Sequence, residues 1–217
     1  MRATKSWLDM AKIKGLYAIT DEKLTPDGKL EDSVERAIRG GVNLIQLRDK
    51  SFDFEKRVTR AVRVKKITGK YGVPLIINDD AVVALESCAD GVHLGKEDLG
   101  EDPYGNFSRI RKKMTDKIIG VSCYDDLEMA VDFEKLGATY VAFGAAFASK
   151  TKPEEKVLPT LDIFPDAKQN LKIPVVAIGG IDEHNYRILL GLGVDALAII
   201  SAIFNGDPYI NAKKFQV

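Results

Sequence analysis

Arg48 and Lys50 stand one residue apart, so on an extended segment both cations fall on the side that also carries Gln46. Asp79 and Asp98 add carboxylate oxygens, the ligands Mg2+ takes together with waters and phosphate oxygens. Lys152 lies in the polar stretch Ser149-Lys150-Thr151-Lys152. Cations gathered round a carboxylate-held metal would neutralise a diphosphate better than a monophosphate. A second anion site is suggested by Gly179-Gly180 and by Ile200-Ser201. Glycine lets the backbone bring its N–H groups close to a ligand, and a short helix opening at Ser201 would add its own amides. That pairing suits a phosphomonoester. No Ser-His-Asp or Cys-His arrangement recommends a protein nucleophile.

These residues must be carried by elements that bring them to one place. Short β-branched runs recur at 15–20, 42–48, 74–78, 91–94, 117–122, 139–144, 173–179 and 196–201. Several are almost continuously apolar, such as Leu75-Ile76-Ile77 and Val175-Val176-Ala177-Ile178, which suits parallel strands buried on both faces. Between them the period changes to that of a helix: Phe54, Val58, Ala61 and Val62 share one stripe, and Leu127, Ala130 and Val131 share another behind Asp125-Asp126. Strand–helix alternation predicts right-handed βαβ units and a parallel sheet. Eight such units in 217 residues predict an α/β chain folded as a single (β/α)8 TIM barrel. Its expected limits are about 15–204, with an N-terminal extension at 1–14 and a C-terminal helix at about 207–217. Active sites of such barrels lie at the carboxyl ends of the strands. Those ends read Thr20-Asp21, Gln46 to Lys50, Asn78-Asp79-Asp80, His93, Ser122, Gly144, Gly179-Gly180 and Ser201. Polar groups that recur around one rim predict a mouth holding two phosphorylated groups on opposite sides.

Composition sets outer bounds. The 32 Lys and Arg balance 32 Asp and Glu, which argues against bulk nucleic-acid binding, and 45% hydrophobic residues argue against a disordered chain. No apolar run is long enough to span a bilayer, and residues 1–14 lack the apolar core of a secretory signal, so a cytoplasmic protein without membrane partners is expected. A homo-oligomer is left open. Cys88 and Cys123 are expected as free, mostly buried thiols. His93 is expected to pack with both ring nitrogens satisfied, and His184 to lie on the surface near a helix start. The basic run Arg109-Ile110-Arg111-Lys112-Lys113 reads as a solvated helix face, and Trp7 carries no functional argument.

The segments Tyr17-Ala18-Ile19-Thr20-Asp21, Gln46-Leu47-Arg48-Asp49-Lys50, Ile77-Asn78-Asp79 and Gly91-Val92-His93-Leu94-Gly95 resemble thiamine phosphate synthases. So do Ser149-Lys150-Thr151-Lys152, Gly179-Gly180-Ile181 and Ile200-Ser201-Ala202-Ile203, and the resemblance runs from about 15 to 204. It implies Mg2+-dependent coupling of hydroxymethylpyrimidine diphosphate with hydroxyethylthiazole phosphate, giving thiamine phosphate and pyrophosphate by dissociative displacement. By motif position it implies that Gln46, Leu47, Arg48, Asp49, Lys50, Asn78, Ser122 and Lys152 hold the pyrimidine diphosphate. Asp79 and Asp98 would bind Mg2+, and Ser149, Lys150, Thr151, Gly180, Ile200 and Ser201 would hold the thiazole phosphate. Arg48, Lys50, Ser122 and Lys152 would act in catalysis.

The chain departs from that pattern in three places. Gly144-Ala145-Ala146-Phe147-Ala148 lacks the usual Pro-Ile and a common Pro, which predicts a more mobile loop. Ser149 replaces Thr and keeps the hydroxyl. Asp80 replaces a common Arg, and would either disturb the metal carboxylates or pair with a nearby cation. A thiazole tautomerase, a non-catalytic barrel with a decayed site and a pentose-phosphate epimerase are the competing readings. The first two are disfavoured because Arg48, Lys50, Asp79, Asp98 and Lys152 are all present, and the third would not need the paired cations.

Overall fold

A strand with sheet neighbours on both sides and helices outside must be apolar inward and outward, and the observed strands follow that composition. The computed structural model describes residues 12–148 and 161–217; Trp7 and Ser149 to Lys152 lie outside them. Eight strands, β1 (Gly15–Ile19), β2 (Val42–Leu47), β3 (Leu75–Asn78), β4 (Gly91–Leu94), β5 (Ile118–Tyr124), β6 (Tyr140–Phe143), β7 (Val175–Ile178) and β8 (Ala196–Ile199), pair in parallel and in chain order. The ring closes by pairing of β1 with β8, with Gly15 opposite Ala196 and Ala18 opposite Ile199. The expected α/β barrel is therefore the observed one.

Several strands are shorter than the apolar runs predict. The β2 ladder ends at Leu47, so Arg48 and Lys50 belong to the following loop, where the Arg48 N–H donates to Thr20 Oγ1 at 3.0 Å. β8 likewise ends at Ile199, and Ser201 opens a short helix, as expected.

The described helices are α1 (Leu30–Arg39), α2 (Phe54–Tyr71), α3 (Ala81–Glu86), α4 (Lys96–Leu99), α5 (Pro103–Lys113), α6 (Leu127–Lys135), α7 (Ile163–Asn170), α8 (Tyr186–Gly191), α9 (Ser201–Phe204) and α10 (Pro208–Lys213). Side-chain caps at the N-termini come from Asp53 for α2, Asp80 for α3, Asp102 for α5, Asp126 for α6 and Asp207 for α10. Each satisfies backbone N–H groups that would otherwise lack partners. Arg111 does the converse at the end of α5, donating to the Met114 and Lys117 carbonyls, so part of the basic run closes its own helix.

Period two sorts the strand side chains into two cores. Outward residues such as Ile45, Leu75, Ile77, Val92, Val121 and Val175 pack under the helices. Inward residues Tyr17, Leu44, Ile76, Tyr140, Ala142, Val176 and Ala196 fill the barrel. The Tyr140 ring fits because its register partner is Gly120: a Cβ there would lie 2.0 Å from the ring. Gly120→Ala is therefore expected to cost about 1–3 kcal/mol through overpacking, read as a lowered urea midpoint with unchanged m-value.

Cys123 is buried as expected, but Cys88 is exposed. Its backbone adopts φ 56° in the turn after α3, which directs that residue outward rather than into the core.

Candidate active site at the carboxyl ends of the strands

At the ends of β2, β3 and β4 three charged groups meet. Lys50 Nζ lies 3.1 Å from Asp79 Oδ2, and the Asp98 carboxyl lies close enough to Asp79 for the two to influence each other's charge. The Lys50 loop is held from β1: Glu22 Oε1 accepts from the Ser51 N–H at 2.8 Å and also from the Lys50 N–H. Asp79 follows β3 with φ 67°, a left-handed conformation that is rare outside glycine, and its N–H donates to the His93 carbonyl at 2.8 Å. Asp98 sits in the first turn of α4 and accepts from the Gly95 N–H at 2.7 Å. Burial, and then the adjoining Asp79, pushes the Asp98 carboxyl up to about 6. Two carboxylates so close, with one lysine against them, leave an excess of negative charge that a divalent cation would relieve. Among the described residues no three His, Cys, Asp or Glu side chains group as a metal cage. Two carboxylates completed by water and phosphate oxygens fit the way Mg2+ binds.

The open choice at Asp80 is resolved. Its Oδ2 lies 3.0 Å from Arg57 Nη1 on α2, and its Oδ1 accepts from the Val82 and Val83 N–H groups. The extra charge is thus neutralised by a helix terminus and a cation rather than left against Asp79.

Asp49 and Leu47 point elsewhere. Leu47 packs in the outer core. Both Asp49 carboxylate oxygens accept from Arg60 of α2, at 2.7 and 3.2 Å, so that side chain faces the helix layer while Lys50 faces Asp79. Asn78 ends β3 on the face of Ile76.

Gln46 and Ser122 both face inward and are joined through the barrel. Gln46 Nε2 donates to Tyr17 Oη at 2.7 Å, and Tyr17 Oη lies 2.8 Å from Tyr140 Oη. Tyr140 Oη is 2.9 Å from His93 Nδ1, and His93 Nε2 is 2.8 Å from Ser122 Oγ. His93 thus has both nitrogens partnered, as expected, and burial lowers its pKa to about 4, leaving it neutral near pH 7. His184 is on the surface. Residue type alone does not mark Tyr17 and Tyr140 for this contact. The available signal was their inward parity, since a phenol inside a barrel must find a polar partner.

Across the mouth, β7 and β8 are neighbours, with Ile178 opposite Ala198, so the Gly179-Gly180 turn and the Ile200-Ser201 helix start follow adjacent strands. Gly179 and Gly180 have φ 98° and 65°, and a Cβ on Gly180 would lie 2.5 Å from the Phe147 carbonyl oxygen. Loop 144–148 packs into that space. Ala146 N–H donates to Ile178 O at 2.8 Å, Phe147 N–H to Gly179 O at 3.1 Å and Gly144 N–H to Tyr124 O at 3.0 Å. These backbone bonds tie 144–147 to β7 and to the end of β5 without any contribution from proline.

The chain is 44% identical over 195 residues to a thiamine-phosphate synthase of Nitrosococcus oceani, covering 89% of this chain and 87% of the relative. It is 42% identical over 199 residues to one of Caldanaerobacter subterraneus, covering 91% and 90%. A thiamine phosphate pyrophosphorylase structure from Pyrococcus furiosus superposes with a TM-score of 0.82 at 33% identity, covering 94% of each chain. A 3-hexulose-6-phosphate synthase structure, at 18% identity and a TM-score of 0.67, shares the fold alone. The thiamine monophosphate synthase model matches residues 16–203, which takes in all eight strands but for the first residue of β1, and the chain belongs to that family.

Proposed function

We propose that this chain joins hydroxymethylpyrimidine diphosphate to hydroxyethylthiazole phosphate, forming thiamine phosphate and pyrophosphate in the cytoplasm from small-molecule substrates. The observation that carries this reading is the Lys50, Asp79 and Asp98 group at the mouth of a family barrel. The C–O bond between the pyrimidine methylene and the diphosphate breaks first, both electrons leaving with pyrophosphate, and the thiazole nitrogen then forms the new C–N bond. Arg48, Lys50 and, from the sequence, Lys152 offset the negative charge that grows on the leaving group. Asp79 and Asp98 would hold Mg2+, which when bound supplies further positive charge at the diphosphate. Gln46, Asn78 and Ser122 orient the pyrimidine. Gly180, Ile200 and Ser201, with Ser149 to Thr151 from the sequence, anchor the thiazole phosphate so that its nitrogen is held at attacking distance. No protein nucleophile is required. Among the described residues no helix is long and apolar enough to cross a membrane.

Purified protein given Mg2+ and both substrates is expected to release pyrophosphate and thiamine phosphate in equal amounts. Turnover no higher than an enzyme-free control would reject the reading. Consumption of the thiazole phosphate without pyrophosphate would favour a tautomerase instead.

A further inference from the structure

The relay inside the barrel is a matter of counting protons. Tyr17 and Tyr140 are buried phenols whose ionisation is opposed by burial, so each carries one proton. Above the ordinary imidazole range His93 is neutral and carries one proton on its two nitrogens. Gln46 donates into Tyr17 Oη through its amide nitrogen. If Tyr17, already accepting from Gln46, directs its proton to Tyr140, then Tyr140 directs its own to His93 Nδ1, across contacts of 2.8 and 2.9 Å. The one remaining histidine proton must then sit on Nε2 and point at Ser122 Oγ, 2.8 Å away. The hydroxyl of Ser122 is left with its proton unused inside the barrel.

We propose that Tyr140 and His93 are positioning residues that set Ser122 as a hydrogen-bond donor toward the barrel mouth, with the direction imposed from Gln46. Neither residue needs to touch the ligand. Tyr140 joins partners from strands that are not sheet neighbours: its ring stands edge-on to Tyr17, at 6.0 Å and 81°, and stacks on His93, at 5.5 Å and 21°. The acceptor that Ser122 would meet is a ligand atom, and that last step rests on the synthase reading. The order of protons within the barrel does not.

The test is the proton position on His93 in the full-length, substrate-free protein. It is read by long-range proton–nitrogen NMR of 15N-labelled histidine at about pH 8, where the imidazole is neutral. The proton is expected on Nε2, and a proton on Nδ1 would overturn the proposal. Gln46→Glu replaces the donor by an ionised acceptor, so every bond in the chain should reverse and the proton should move to Nδ1. Adding Tyr140→Phe removes the connecting hydroxyl while keeping the ring, and Gln46→Glu should then leave the tautomer as it is in Tyr140→Phe alone. A tautomer that ignores Gln46→Glu in the presence of Tyr140, or follows it in its absence, would also overturn the relay. Because these readouts need no turnover, the relay can fail while the synthase reading stands, and the reverse.

Discussion

Asp98→Asn is expected to lower kcat/KM by roughly 10²-fold or more at limiting Mg2+ while leaving the fold intact. Asparagine keeps the side-chain oxygen that accepts the Gly95 N–H, so the first turn of α4 retains its cap. Only the charge is lost. Burial and Asp79 push the carboxyl up to about 6, and the Gly95 N–H and Lys50 offset only part of that. Lys50 reaches Asp79 at 3.1 Å but is more than half exposed, with 57% of its side-chain surface open, so solvent weakens what it contributes. In the proposed site a divalent cation would answer that deficit, and removing one of the two carboxylates proposed to hold it should raise the Mg2+ concentration for half-maximal rate about tenfold or more. Thiazole phosphate binding should change little, because Gly180, Ile200 and Ser201 lie on the β7–β8 side of the mouth. A variant with the parental Mg2+ dependence would remove Asp98 from any metal role. Equal loss of thiazole phosphate binding, with an unchanged melting midpoint, would defeat the division of the mouth into two sites.

The barrel was legible because burial on both faces leaves a mark that needs no partner to be seen. Leu75-Ile76-Ile77 and Val175 to Ile178 announce parallel strands by composition alone, and helical stripes between them supply the crossovers. The rim was legible to the same depth, since residues at strand ends inherit their place from the strands. Directions beyond the last ladder bond were not. Asp49 and Lys50 are adjacent, yet one faces Arg60 on α2 and the other Asp79 after β3, and only the packed helix decides which. Asp80 posed the same difficulty, because its partner Arg57 comes from a different helix. The interior relay was least accessible. Tyr17 and Tyr140 are 123 residues apart and meet across the lumen, so no strand register or local motif could announce the contact.

Arg60→Met is expected to destabilise the protein by about 3–5 kcal/mol, the usual cost of stranding one member of a buried ion pair. Arg60 is 1% exposed and the Asp49 side chain 4%. The guanidinium donates Nε and Nη2 to Asp49, donates Nη1 to Asp27 at 2.7 Å and lies 4.7 Å from the centre of the Phe52 ring. Burial first, then the neighbouring Glu22 and Asp27 charges, raise the Asp49 carboxyl, and the two Arg60 donors offset part of that rise. Methionine fills much of the arginine stem but leaves that carboxylate dry and unpaired. Asp49→Leu in the same background should recover most of the loss, because an apolar pair of similar volume avoids the desolvation of both ions. The urea midpoints of the two singles and the double form a cycle whose coupling should exceed about 2 kcal/mol. A single-variant loss below about 1 kcal/mol would show that water reaches the pair. The activity of the stable double variant then separates two roles for Asp49. If its carboxylate only ties the β2 loop to α2, the Lys50 loop remains held through Glu22 and turnover survives. If turnover collapses in a folded protein, the carboxylate has a part in the site that its bonds to Arg60 conceal.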